Sequence, residues 1–229
     1  MRANEPSCLP ESGRFARTSV VYPGRMPLAS QPMTRRAEIL GQLRDLFIAE
    51  GFARFSIADL ADRLRCSRST LYAVAPSKEQ LVVAAVRAYF STAAERIEAK
   101  VAAADGPRER LATYLAAVAA ELEPVSAEFF ADVAAFAPAG DVYRENTRFA
   151  AQRIQALVAE GINAGVLRPA NASFIGAAVS SVMAAIQRGD IQAATGLTAA
   201  DAYRELADLI LGSLDRPPVG GPDRRRSRR

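Results

Sequence analysis

The chain has 229 residues, half of them apolar and 24% charged, which is ordinary for one large or two small globular domains. It contains no histidine and two cysteines, so histidine-based catalysis, histidine metal ligation and a disulfide framework are excluded. The net charge of +4 is a weak sign of nucleic-acid binding, because residues 216–229 hold six arginines and one aspartate and alone contribute +5.

The first 33 residues contain five prolines and no helical period, which predicts a disordered N-terminal extension. Met26 and Met33 compete with Met1 as start sites, since Met33 directly precedes the first helical pattern. The first 25 residues lack the apolar segment of a secretory signal, and no stretch approaches the roughly 18 apolar residues of a membrane span. These features favour a cytoplasmic protein with no membrane partner.

Residues 34–80 are predicted to form one small domain of three helices. The first helix begins at Thr34 and ends at Gly51, and its apolar residues follow a helical spacing: Ile39, Leu40, Leu43, Leu46 and Phe47. Ser56, with Asp59 three residues later, is a variant capping box that predicts a short helix over residues 57–64.

A third short helix is predicted over residues 68–73, with Ser67 as its N-cap and Pro76 beyond its end. Leu71 and Val74 can face inward, whereas the polar residues of the first turn face outward. Ser77 then caps a long helix that runs to about residue 101.

The remaining helices are separated by proline and glycine, and we expect them at residues 107–123, 126–137, 141–164, 171–188 and 198–214. No long window alternates as a β-strand does, so the predicted fold class is all-α. Residues 81–214 are assigned to a larger helical domain. Residues 215–229, with their prolines, glycines and arginines, predict a basic disordered tail.

Two short helices joined by a tight turn, behind a longer supporting helix, indicate a helix-turn-helix. The second helix of such a motif must be small enough to enter a major groove and must present donors and acceptors outward. Arg68 can hold a guanine or a phosphate, and the hydroxyls of Ser67, Ser69 and Thr70 allow close approach to DNA. An ordinary connecting helix is the alternative.

Two motifs strengthen this interpretation: Ser67–Tyr72 reads S-x-x-T-L-Y and Pro76–Leu81 reads P-S-K-E-x-L. With them, residues 36–81 resemble the DNA-binding domain of the tetracycline-repressor (TetR) family of bacterial regulators. The resemblance implies that Tyr72 and Lys78 contact DNA phosphates. Lys78 lies in the first turn of a helix, where a cation is disfavoured alone but favourable beside a bound phosphate.

The sequence departs from the family pattern at two positions. Arg65 replaces a glycine that often takes a positive φ, and Ala75 replaces an aromatic residue. Arg35, Arg36 and Arg54 flank the motif, either as a solvated face or as further DNA contacts. Ser56 is a cap and also a candidate phosphate contact, so the DNA-binding candidates are Ser56, Ser67, Arg68, Ser69, Thr70, Tyr72 and Lys78.

The resemblance also implies that residues 81–214 bind a small-molecule effector and form a homodimer. The pocket would lie among the helices of residues 107–164, and residues 171–214 would form a four-helix dimer interface. We expect a partly apolar effector, no cofactor and no metal. The candidate ligand-binding residues are Tyr114, Phe129, Tyr143 and Phe149, and for most of the aromatic residues of this half plain core is the favoured alternative.

These observations predict a ligand-responsive, sequence-specific DNA-binding regulator, in the first place a repressor that acts as a homodimer on a palindromic operator. One alternative is a helix-turn-helix regulator without a small-molecule effector. A rival from another class is an all-α enzyme or interaction module. The absence of histidine and of site motifs argues against the enzyme.

Overall fold

The computed structural model describes residues 35–215, and this range contains ten α-helices and no strand, which confirms the all-α fold class. The predicted extension of residues 1–33, the start sites and the tail from residue 216 lie outside the described residues. The helices are α1 Arg35–Glu50, α2 Ile57–Arg63, α3 Arg68–Val74, α4 Lys78–Ala102, α5 Gly106–Leu122, α6 Ala127–Ala135, α7 Ala137–Asn163, α8 Ala172–Gln187, α9 Asp190–Thr195 and α10 Ala199–Leu214.

Serine caps begin α2, α3 and α4, as the sequence predicts. The Ser56 hydroxyl accepts from the Asp59 N–H at 3.2 Å, and the Asp59 carboxylate accepts from the Ser56 N–H at 2.7 Å, which completes the capping box. The Ser67 hydroxyl accepts from the Thr70 N–H at 3.1 Å, and Ser77 makes the equivalent bond in α4 at 3.2 Å. Each cap satisfies an N–H that has no partner inside its helix.

Two of the predicted helix borders are wrong. The break expected at residues 138–140 is the first turn of α7, because a proline at the start of a helix loses no hydrogen bond there. The stretch between Gly189 and Gly196 is not a plain loop but contains α9, whose two flanking glycines have φ of 78° and 76°. Six residues are too few to show a helical period in the sequence.

The buried side chains form two clusters that share α4. The N-terminal core joins α1–α3 and the first half of α4 to α6 and the start of α7. The C-terminal core joins the end of α4 to α5, the rest of α7, α8 and α10. Representative residues of the N-terminal core are Leu43, Phe47, Leu60, Leu71, Phe90, Phe129, Val133 and Tyr143, and those of the C-terminal core are Leu111, Leu115, Leu157, Val179, Met183 and Ile210.

Helix α6 packs against α1, although it lies far along the chain from it. The Ser126 N–H donates to the Ile48 carbonyl at 2.9 Å, and the rings of Phe52 and Phe129 meet edge to face with centroids 6.2 Å apart. Residues 34–80 therefore share their core with later helices. The division at residue 80 remains a prediction about function and not a gap in the packing.

Candidate nucleic-acid interface

Helix α3 buries one face and exposes the other. Leu71 and Val74 are buried in the N-terminal core, whereas Arg68 and Ser69 are exposed and the Tyr72 side chain is 49% exposed. The predicted inner and outer faces of α3 are thus the observed ones.

The hydroxyls at the start of α3 are hydrogen-bonded to one another. The Ser67 Oγ lies 2.6 Å from the Ser69 Oγ and 2.9 Å from the Thr70 Oγ1. A hydroxyl is both donor and acceptor, so this cluster can exchange an internal bond for one to a phosphate or a base edge. At the other end of α3, the Arg36 guanidinium donates to the Val74 carbonyl at 3.0 Å and ties the helix to α1.

Lys78 connects the start of α4 with the loop between α1 and α2. Its ammonium donates to the Ala53 carbonyl at 3.0 Å. The hydrogen bonds with Ser56, and a smaller contribution from Lys78, lower the pKa of Asp59. The structure thus brings Lys78 close to the capped start of α2, and two predicted phosphate contacts, Ser56 and Lys78, lie on the same side of the domain.

The turn between α2 and α3 keeps the backbone shape that the missing glycine would have. Arg65 has a φ of 48° and is the one residue other than glycine with a positive φ within residues 35–215. The Cys66 N–H donates to the Ala61 carbonyl at 2.9 Å, which closes the end of α2. Ala75, the second departure, is buried and ends α3 in an extended conformation.

Sequence reasoning missed a charged cluster beside α2. The Glu50 carboxylate accepts from the Arg63 guanidinium at 2.9 and 3.0 Å and also from Arg54. Both guanidinium groups lie over the Phe55 ring, 4.8 Å from its centroid for Arg54 and 5.6 Å for Arg63. The i,i+4 spacing of Glu50 and Arg54 is the one signal in the sequence.

The four candidate ligand residues are not brought together. Tyr114 lies in the C-terminal core, whereas Phe129 and Tyr143 lie in the N-terminal core. Phe149 is half-buried, with the Arg148 guanidinium 5.6 Å from its ring centroid. None of the four lines the cavity described next.

A cavity of about 580 Å³ lies where the end of α5 and α6 face the corner formed by α8, α9 and α10. This volume is within the range of small-molecule sites. Apolar side chains from three helices and several polar groups line it together: Leu122, Phe130, Ile186, Gln187, Gln192 and Arg204.

A buried polar group lies behind this wall. The Tyr143 hydroxyl is buried and has no hydrogen-bond partner among the described residues. Burial, and after it the nearby Tyr203, raise the pKa of Tyr143 well above its ordinary value, while Gln187 is near enough to lower it slightly. The Gln187 amide donates to the Thr147 hydroxyl. The hydroxyls of Tyr143, Thr147 and Tyr203 therefore lie near Gln187, whose side chain also lines the cavity.

Residues 35–215 contain no group of three or more acidic or cysteine side chains that could hold a metal ion. No helix in the same range is long and apolar enough to cross a membrane.

The sequence model of the family described as "Bacterial regulatory proteins, tetR family" matches residues 39–85, from α1 into α4. Members of this family are transcriptional regulators and not enzymes. A sequence comparison with curated proteins gives no match.

Solved structures with the same fold are similar along most of the chain. A transcriptional regulator from Saccharomonospora viridis in complex with choline is 21% identical, with a TM-score of 0.63 over 80% of this chain and 98% of that one. A TetR/AcrR-family regulator from Thermobifida fusca is 23% identical, with a TM-score of 0.55 over 80% and 99%. RolR in complex with resorcinol is 20% identical, with a TM-score of 0.51 over 79% and 87%.

At these identities the solved structures establish the fold, and the family match adds the identity of the helix-turn-helix. The matched range contains all seven DNA-binding candidates, five of them in α3 or at Lys78 and the other two at the caps Ser56 and Ser67. Residues 39–85 therefore match the tetR family of bacterial regulatory proteins, and the helices that surround them have the fold of solved transcriptional regulators.

Proposed function

We propose that the protein is a sequence-specific DNA-binding repressor that acts as a homodimer on a palindromic operator. The observation that carries the proposal is the two-faced α3, which packs Leu71 and Val74 inward and presents Arg68, Ser69 and Tyr72 outward. A helix of this size enters a major groove and reads base edges from its N-terminal residues. Such a regulator acts on chromosomal DNA, in the cytoplasm.

The candidate residues divide into two roles. Arg68, Ser69 and Thr70 lie at the start of α3, where base edges and nearby phosphates are within reach. Tyr72 and Lys78 are assigned to phosphates, which hold the protein in register on the duplex. Ser56 and Ser67 fix the starts of α2 and α3 and place two capped helix ends beside the same backbone.

We assign the homodimer to α8 and α10. Each helix exposes one stripe at helical spacing, and each stripe contains a large apolar side chain, Phe174 at 72% exposure and Leu209 at 69%. The other stripe residues are small or polar, which allows a second pair of helices to approach closely. The stripes are Phe174, Ala177, Ala178 and Ser181 on α8, and Glu205, Asp208, Leu209 and Gly212 on α10.

We assign the effector site to the cavity beside α6. Its lining combines apolar side chains with a few polar groups, which suits a small, partly apolar molecule. Two regulators of the same fold are in complex with choline and with resorcinol, both small molecules. Such a molecule releases DNA only if it binds more tightly to the state with the poorer DNA geometry.

The proposal is tested by selection of duplexes from a random library with the full-length chain. A palindromic consensus with half-sites about one helical turn apart is the expected result. Arg68→Ala and Tyr72→Phe should then each weaken binding to that duplex, since a base-edge contact is worth roughly 5- to 150-fold and a phosphate contact less.

Arg144→Ala is the matched control, because Arg144 is an exposed arginine of α7 that pairs only with Asp141 among the described residues. Selection that enriches no sequence contradicts the proposed function. Unchanged affinity in both α3 variants contradicts the assignment of α3 as the reading helix.

A further inference from the structure

We propose that Asp132, on α6, is a positioning residue for DNA binding, which holds the α1–α2 loop and through it Lys78. Asp132 lies 54 residues beyond Lys78 and belongs to none of the motifs in the sequence. The inference rests on the proposed function, since it concerns how Lys78 is presented to a phosphate.

The first contact is between the Asp132 carboxylate and the loop backbone. The Phe52 N–H donates to the Asp132 Oδ2 at 2.5 Å, and the Ala53 N–H donates to the same oxygen at 2.7 Å. Hydrogen bonds to a charged acceptor are roughly twice as strong as neutral ones. Asp132 lies in the last turn of α6, where the helix dipole disfavours an anion, so these two donors compensate for an unfavourable position.

The second contact continues from the same loop residue. Ala53 gives its N–H to Asp132 and its carbonyl to the Lys78 ammonium, which lies 3.0 Å away. An ammonium has three donors, so a bond to Ala53 fixes the position of Lys78 and leaves two donors for a phosphate. The backbone of Ala53 thus connects the Asp132 carboxylate of α6 with the Lys78 ammonium, a proposed DNA contact.

Gly51 shows that the loop is shaped for this carboxylate. The residue is buried with a φ of 72°, and an added Cβ would lie 2.6 Å from the Asp132 Oδ2 and 3.1 Å from the Glu128 Cβ. A side chain at position 51 would therefore displace α6 as well as strain the backbone. The close approach of α6 depends on this glycine.

One end of α6 is hydrogen-bonded to α1 and the other end to the loop that follows α1. Before its first turn, the Ser126 N–H donates to the Ile48 carbonyl at 2.9 Å, and the Ser126 hydroxyl caps α6 through the Phe129 N–H at 3.1 Å. In its last turn, Asp132 holds the loop. The opposite face of α6 lines the cavity through Phe130, Ala131 and Ala134. A rigid displacement of α6 from the cavity side would consequently move the loop and Lys78.

The test measures affinity for the duplex selected by the wild-type full-length chain, at several salt concentrations. Asp132→Ala should weaken binding about tenfold, because Lys78 loses its fixed position. Each phosphate contact contributes about 0.9 to the slope of log K against log salt concentration, and a homodimer makes each contact twice, so the slope should fall by about two for Asp132→Ala and for Lys78→Ala alike.

The double variant should bind no more weakly than Lys78→Ala alone, since the two residues act through one contact. Asp141→Ala is the matched control, because it removes an exposed carboxylate of the following helix with no bond to the loop. Asp132→Asn keeps the shape and one acceptor oxygen and should be intermediate, which preserves the test if Asp132→Ala does not fold.

An unchanged affinity and salt slope in a folded Asp132 variant would overturn the inference and leave the proposed function intact. Additive losses in the double variant would also overturn it, since they would mean that Asp132 supports the fold independently of Lys78. A wild-type chain that selects no duplex at all would remove both the proposed function and this inference.

Discussion

The two cores of the molecule differ in what fills them. The N-terminal core is rich in aromatic rings, which meet at centroid distances of 5.2 Å for Phe90 and Tyr143 and 6.0 Å for Tyr89 and Phe129. The C-terminal core is mostly leucine, valine and alanine, with two tyrosines, Tyr114 and Tyr203. Packed rings join α1 and the loop after it to α6 and join α4 to α7, whereas the helices of the C-terminal core pack mainly through aliphatic side chains.

The largest expected effect is the loss of stability when a buried side chain is removed from the N-terminal core. The same experiment tests whether the two cores unfold together. Leu71→Ala removes a fully buried side chain from the N-terminal core and should lower the free energy of unfolding by about 2–5 kcal/mol. Because α4 belongs to both cores, we expect a single transition in chemical denaturation, followed by circular dichroism and by tyrosine fluorescence. Two separate transitions would show that the cores are independent. Leu209→Ala, at an exposed position, is the matched control in the same assay at a protein concentration below dimer formation.

The second prediction concerns the exposed stripes of α8 and α10, which we propose as the dimer interface. Phe174→Asp replaces the large apolar side chain of the proposed α8 stripe by a charge and should raise the dimer dissociation constant by roughly 30-fold or more, as expected for an aromatic anchor of an interface. Sedimentation velocity at several concentrations measures this directly. Ala135→Asp introduces the same charge at an exposed position of α6 and should leave the dimer unchanged. A Phe174→Asp chain that dimerises as the wild type does would contradict the assignment to α8 and α10.

The third prediction concerns the border of the two cores. Tyr143→Phe removes a buried hydroxyl that makes no well-formed hydrogen bond among the described residues, although Tyr203 and Gln187 lie near enough to shift its pKa. A poorly satisfied buried hydroxyl costs about 1–3 kcal/mol, so the variant should be more stable by about 1 kcal/mol. Thermal denaturation measures the change. Tyr114→Phe in the C-terminal core serves for comparison, because Tyr114 is also buried but lies near Arg153, whose pKa it helps to raise, and we expect no comparable gain from its removal. A destabilised Tyr143→Phe variant would mean that the hydroxyl has a polar partner.

The smallest expected effect lies in the turn between α2 and α3. Arg65→Gly should stabilise the protein by about 1 kcal/mol, because glycine takes a positive φ without the steric cost that arginine has. The urea midpoint of unfolding would measure it. Arg68→Gly, inside α3 where φ is helical, should instead destabilise by about 1 kcal/mol. Equal effects of the two substitutions would contradict the argument from backbone conformation.

Much of the N-terminal region was predictable from the sequence, because its structure depends on local signals. Ser56, Ser67 and Ser77 each cap the helix that follows, and a cap involves residues only two or three positions apart. The positive φ of Arg65 is likewise a local property, because this residue stands in a tight turn at a position where glycine is usual.

The contacts made by α6 could not be predicted in the same way. Asp132 and Phe52 are 80 residues apart, and nothing in the local pattern of either residue indicates that they meet. The cavity is equally non-local, since residues of α5, α6, α8 and α10 and of the short α9 line it. The candidate ligand residues Tyr114, Phe129 and Tyr143 are buried core residues, but the sequence does not tell which of the two cores each ring joins.

Because α4 is long, a small tilt of this helix displaces its N-terminal end by a large distance. Its 25 residues extend about 37 Å at 1.5 Å per residue. A tilt of about 5° at the end near the C-terminal core therefore moves the end that carries Lys78 by roughly 3 Å, about the length of one hydrogen bond. In a symmetric dimer the two displacements add, to roughly 6 Å against half-sites about 34–36 Å apart. Release of the operator would then require no unfolding. A tilt of a few degrees in α4 would already change the separation of the two α3 helices so that both could not lie in successive major grooves.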